Sequence, residues 1–172
     1  IDAPPLVVHT TLAAQDAALP SFPVPFQIQS LVALTNGGAR LRWSAGTASS
    51  PTGAWTTVGA SWLSNSFYTA SIPAQRPGTH IHYYLEAESG EHVTRLPQGA
   101  PEAYFTFYID TMVDFTVEGA PFRFGTVSPP YGVTVVIANT AFSASAPAIV
   151  AISNGLRRAC SGWAGTGDAP AS

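Results

Sequence analysis

Apolar and polar residues alternate most cleanly between Thr79 and Glu88. Ile81, Tyr83, Leu85 and Ala87 fall on one face, and His80, His82, Tyr84, Glu86 and Glu88 on the other. A period of two marks a half-buried strand of an antiparallel sheet, so the pattern predicts a strand over Thr79–Ala87 with its polar face towards water. Phe67 to Ile72 reads as a partner strand, joined to it through a Pro/Gly turn. Upstream, Leu6 to Thr10 enters behind Pro4-Pro5, and Val24 to Leu34 carries Phe26, Ile28, Val32 and Leu34. Ala39 to Ala45 alternates Leu41 and Trp43 against Arg40, Arg42 and Ser44, and Trp55 to Val58 follows a polar loop. Tyr104 to Ile109 closes the set. Residues 11–23 read as a polar connector, and Asn36-Gly37-Gly38 as a turn, since Asn and Gly accept positive φ.

Seven strand candidates at short spacing, with no period near 3.6 before residue 110, match the count of an immunoglobulin-like sandwich. After Asp110-Thr111 the style changes. Phe115 and Val117 alternate with Thr116 and Glu118, and Gly119 to Tyr131 is a Gly/Pro-punctuated loop. Val133 to Ile137, Phe142 to Ile152 (broken near Pro147) and Leu156 to Trp163 are further candidates, with Asn154-Gly155 as a hairpin signal. The expected fold class is all-β: an immunoglobulin/fibronectin-III-like sandwich over residues 1–111, then a small, incomplete β domain over 112–172. A small β unit with an open edge is poorly stable alone, so the chain is expected as a monomer or a strand-exchanged dimer.

Composition narrows the function classes. A hydrophobic content of 46% against 10% charged residues excludes an ordinary disordered tail. All seven basic residues are arginine, and the net charge of -3 carries no electrostatic footprint for nucleic acid and no basic face for a membrane surface. No run approaches the roughly 18 apolar residues of a membrane span. Met112 is the only methionine, which leads us to expect a fragment or processed product with neighbouring domains as its partners. The single cysteine, Cys160, forbids an internal disulfide.

Few residues suggest chemistry. His80 and His82 leave one strand face about 7 Å apart. With Glu86, Glu88 or His92 they are candidate zinc or copper ligands, the plainer alternative being a solvated sheet face. Trp55 and Trp62 flank a polar loop and are candidate platforms for a sugar, while Trp43 points to the core and Trp163 to the plug of a small second core. Cys160 reads as a small buried residue, because all four histidines lie in the first domain. Glu86 with Glu88, or Asp110 with Asp114, read as ordinary surface charges. No G-x-S-x-G motif occurs, and Gly165-Thr166-Gly167 lacks the lysine of a phosphate loop. These observations lead us to expect neither a catalytic set nor a cofactor.

Two stretches carry a family resemblance. Tyr68 to Ala87 (YTASIPAQRPGTHIHYYLEA), with LPQGAP and YFTF after it, resembles the immunoglobulin/fibronectin-III-like modules that follow catalytic domains in bacterial secreted proteins, including some secreted peptidases. The likeness spans most of residues 4–110 and implies a structural or adhesive accessory role without catalytic residues. Gly125 to Pro130 (GTVSPP) with Asn154 to Pro170 (NGLRRACSGWAGTGDAP) resembles bacterial extracellular repeat modules akin to divergent B-repeats. Cys160, Gly162, Trp163, Gly165, Thr166, Gly167 and Pro170 match that pattern. Members of that family usually continue with another apolar strand or two, which do not follow here. Together the resemblances imply a non-catalytic structural, adhesive or spacer segment of a secreted or cell-surface multidomain bacterial protein. The alternative they leave is a carbohydrate-binding module accessory to a secreted hydrolase, with a polysaccharide or cell-surface ligand.

Overall fold

The computed structural model describes residues 3–119, 123, 125–138, 140–141, 143–153 and 155–163, and these form an all-β protein. The chain divides into two units after Met112. The first unit contains β1 (Leu6–Val8), β2 (Gln15–Asp16), β3 (Ser21–Gln29), β4 (Ala39–Gly46) and β5 (Thr56–Gly59). It continues with β6 (Ser61–Ser64), β7 (Phe67–Pro73), β8 (Thr79–Ser89), β9 (His92–Leu96) and β10 (Phe105–Asp110).

These strands form two sheets. One runs β1-β3-β7-β6, and the other β2-β10-β8-β4-β5 with β9 also paired to β8. The axis of the second sheet is β8. Along one edge it pairs with β4 from Ala87 to His80, and along the other with β10 over its first half and β9 over its second. Alternation explains which side faces in. Phe22, Val24, Phe26 and Ile28 of β3, with Ala70 and Ile72 of β7, meet Leu41 of β4, Ile81, Tyr83 and Leu85 of β8, and Phe107 and Ile109 of β10. Phe22 and Phe107 touch edge to face across the sheets, with ring centroids 5.8 Å apart. Each of the large apolar side chains among them contributes about 1.5–3 kcal/mol, which is why the two inner faces stay together.

The first strand switches sheets. β1 is antiparallel to β3, whereas β2, a few residues later, lies parallel to β10 in the other sheet. His9 and Tyr83 pin this crossing. The His9 Nδ1–H donates to the Pro25 carbonyl at 2.8 Å, so Nε2 accepts the Tyr83 hydroxyl at 2.8 Å, and that hydroxyl accepts the Leu12 N–H at 3.2 Å. Burial lowers the His9 pKa from its ordinary value and pushes Tyr83 up to about 12.

Three strands were not expected from the sequence. β2, β6 and β9 are short, and the burial of β6 and β9 gives no continuous apolar face to read. The strand expected over Val24–Leu34 begins earlier, at Ser21, and ends at Gln29. The larger correction concerns β8. Its outward residues were expected to be solvated, yet His82, Tyr84 and Glu86 are as buried as the core residues between them.

From Met112 onward, β11 (Met112–Val117) pairs with β12 (Gly132–Ile137), and β13 (Ile149–Ser153) pairs antiparallel with β14 (Leu156–Ala159). Ser128 and Ser145 form an isolated bridge through two backbone hydrogen bonds of 2.9 and 2.7 Å. The strand expected from Phe142 is seen only over Ile149–Ser153. Phe142 and Asn154 lie outside the described residues, as do Gly165, Thr166, Gly167 and Pro170.

Candidate functional site

Among the described residues, the outer face of the six-stranded sheet gathers a dense polar and aromatic grouping. Three cross-strand rows build it: Ser44, His82 and Thr106; Arg42 and Tyr84; Arg40, Glu86 and Arg95. Directly opposed side chains on one face of a sheet lie within contact distance of each other, so the rows form a continuous surface.

The first row is closed by a loop. Gly46 ends β4, and a Cβ there would strike the Ser50 carbonyl and come within 2.7 Å of the Pro51 Cα. Glycine therefore lets residues 47–53 fold back over the sheet. His82 Nε2 donates to the Thr47 carbonyl at 2.9 Å, and Nδ1 accepts the Thr106 hydroxyl at 2.9 Å. Ser44 Oγ donates to the Gly53 carbonyl at 3.0 Å, and the Tyr104 hydroxyl to the Ser49 carbonyl at 3.1 Å. The Tyr104 ring covers His82 edge-on at 4.7 Å.

Tyr84 supports Trp55. The Trp55 ring stands edge-on to Tyr84 at 4.9 Å and lies 6.1 Å from Tyr104, leaving it half-buried. Beyond Tyr84, Glu86 sits in an arginine cage. Its Oε1 accepts Arg40 at 3.2 Å and its Oε2 accepts Arg95 at 3.0 Å, while Arg40 also holds Glu88 at 2.6 Å. Glu86 was expected to be a surface charge. The cage explains why it is buried instead, because burying a carboxylate requires paired donors. Arg42 differs from its neighbours. Its guanidinium stands 3.7 Å from Glu86 Oε1, and its buried Nε has no hydrogen-bond partner.

The expected metal pair is only half recognisable. His80 and His82 do share a face, but both His82 nitrogens are engaged and the ring is fully buried. His80 lies against the Tyr108 ring at 4.6 Å. Among the described residues, no group of three His, Cys, Asp or Glu is placed to hold a metal ion.

Trp55 and Trp62 do not form one platform. Trp62, 62% exposed, lies on β6 at the edge of the four-stranded sheet, opposite Tyr68, with its Nε1–H held by the Asn65 carbonyl at 2.9 Å. The chain passes between the sheets at Ala60, whose N–H reaches the Ala39 carbonyl. That passage separates two tryptophans only seven positions apart.

In the second unit Cys160 is exposed rather than buried. With Val127, Tyr131, Pro147, Val150 and Trp163 it lines a cavity of about 420 Å³. Trp163 is half-buried at the wall of that cavity.

Sequence patterning does not single out Tyr84, Tyr104 or the arginines of the cage. The usable signal was Arg40 and Arg42 alternating in one strand and Glu86 and Glu88 alternating in another, but the register that pairs them is a tertiary fact. No protein-family model matches this chain, and comparison with curated proteins finds no match.

Proposed function

We propose that the chain is a non-catalytic structural and adhesive segment of a secreted, multidomain bacterial protein, its first unit being an immunoglobulin-like module. The observation that carries this reading is how the groups with chemical potential are used. Both nitrogens of His82, both oxygens of Glu86 and the hydroxyl of Tyr83 are each engaged by partners that fasten a loop, a strand or a sheet crossing. Polar groups closed on one another in this way rigidify a scaffold. The outer face of the four-stranded sheet agrees with a contact role. Leu6, Val8, Pro23, Pro25 and Phe67 are exposed there among Ser, Thr and Gln residues.

The test is retention of the 172-residue protein on insoluble polysaccharides and bacterial cell surfaces, run beside a panel of chromogenic hydrolase substrates. Saturable retention without turnover is the expected result. Turnover that His82→Ala abolishes would overturn the proposal.

A second reading, carbohydrate binding, draws on one observation. Trp55 is a half-exposed ring held in orientation by Tyr84 and Tyr104, the form of aromatic surface on which a sugar face stacks. Loss of glycan retention in Trp55→Ala, with Trp62→Ala unaffected, is its expected signature.

A further inference from the structure

We infer that Arg42 is the anion-recognising group of a shallow site for an acidic sugar, with Trp55 as the stacking surface; this rests on the carbohydrate-binding reading and specifies its ligand. The argument begins with donors. Arg40 uses three nitrogens, on Gly37, Glu86 and Glu88, and Arg95 takes the second oxygen of Glu86. Arg42 reaches Glu86 only at 3.7 Å, beyond hydrogen-bonding distance, and its Nε is buried without a partner. The Nε is shut off from solvent, so a ligand would meet the remainder of the guanidinium, on a side chain that is 29% exposed.

Charge points the same way. The cage sets Arg40, Arg42 and Arg95 against Glu86 and Glu88, an excess of one positive charge in a chain of net charge -3. One carboxylate delivered to Arg42 neutralises the cluster, and the guanidinium fork matches a carboxylate in plane. Position supplies the rest of the ligand. Arg42 lies directly opposite Tyr84 on the same face, and Tyr84 holds Trp55 at 4.9 Å. A cation held only loosely by Glu86, on the same sheet face as a fixed indole, fits a uronic acid, whose carboxylate is carried on a ring with an apolar face. Nucleic acid does not fit, since it needs many phosphate contacts and the chain is acidic overall.

The experiment titrates trigalacturonate, its fully methyl-esterified form and maltotriose into the intact protein and into the Arg42→Gln, Arg42→Lys and Trp55→Ala variants, read by calorimetry and by NMR. The acid trimer is expected to bind the intact protein at least about tenfold more tightly than the ester, the loss expected when a charged hydrogen bond is removed. Arg42→Gln should bring the acid down to the level of the ester and leave the ester unchanged, Arg42→Lys should recover part of the difference, and about 0.5 M salt should weaken only the acid. Trp55→Ala should weaken both. Arg42→Gln should leave the protein folded with a slightly lower thermal midpoint, since it removes the most distant of the three arginines around Glu86. Equal binding of acid and ester, or an unchanged acid affinity in Arg42→Gln, would overturn the inference while leaving carbohydrate binding standing. No binding of any of the three trisaccharides, nor of acid trimers from alginate and hyaluronan, would overturn both.

Discussion

Replacing Tyr83 with phenylalanine removes one oxygen from a fully buried ring and keeps its contacts with Phe105 and Phe107. The cost therefore reports on the sheet crossing and not on core packing. That oxygen donates to His9 Nε2 at 2.8 Å and accepts the Leu12 N–H at 3.2 Å, so the substitution strands one acceptor and one donor. Each hydrogen bond contributes about 1 kcal/mol net, and an unsatisfied group costs about 1–3 kcal/mol. His9 and Leu12 are only half-buried, so water recovers part of the loss. The expected destabilisation is about 2 kcal/mol, or roughly 8 °C in the melting midpoint for a unit of this size. Urea unfolding followed by tryptophan fluorescence measures it, with an unchanged m-value showing that the unfolding reaction is the same. Hydrogen exchange adds the location. The Ala17 amide, which donates to the Asp110 carbonyl at 2.8 Å beside β2, should lose protection before the amides of β4 and β8. A change below about 0.5 kcal/mol, or a loss of protection spread evenly over the unit, would refute the assignment of Tyr83 as the pin of the crossing.

Two further outcomes follow from the same geometry. Glu86→Gln removes the charge that three arginines surround, and because those side chains are 27–46% exposed the cost should fall near 2 kcal/mol, short of the 3–5 kcal/mol of a fully buried pair; an unchanged urea midpoint would show that the cage contributes nothing. His9 has a folded-state pKa below its unfolded value, so the stability it provides is complete above about pH 6.5 and is lost as pH falls from there through the lowered value; urea midpoints measured from pH 7.5 down to pH 5 should fall more steeply for the intact protein than for His9→Gln, and parallel curves would contradict it.

The inward face of β8 was legible from the sequence, because Ile81, Tyr83, Leu85 and Ala87 need only a period of two to find the core. The outward face was not. Its cover comes from Thr47, Trp55 and Tyr104, which lie far from it in the chain, and no local pattern encodes that approach. Short elements failed for a related reason. β2 pairs over two residues and β9 over five, and both owe their conformation to β10 and β8 already being in place. At the candidate site, the polar-loop setting of Trp55 was readable while its partner Tyr84 was not. Tyr84 occupies the face that the alternation assigned to water. Sequence distance alone groups Trp62 with Trp55, because it conceals the change of sheet between β5 and β6.

The pairing of β2 with β10 also fixes how the first unit carries a mechanical load. The two strands run parallel, with Gln15 beside Ile109 and Asp16 beside Asp110. Once β1 has been drawn off β3, tension reaching β2 and leaving at β10 slides those two past each other along their common axis. Their bonds are then loaded together, so rupture has to break them at once. The β13–β14 hairpin has the opposite geometry. Ile149 and Ala159 face each other at its open end, and the same pull peels its bonds apart one after another. A stretched chain would therefore yield first in the hairpin, while the first unit bears the force.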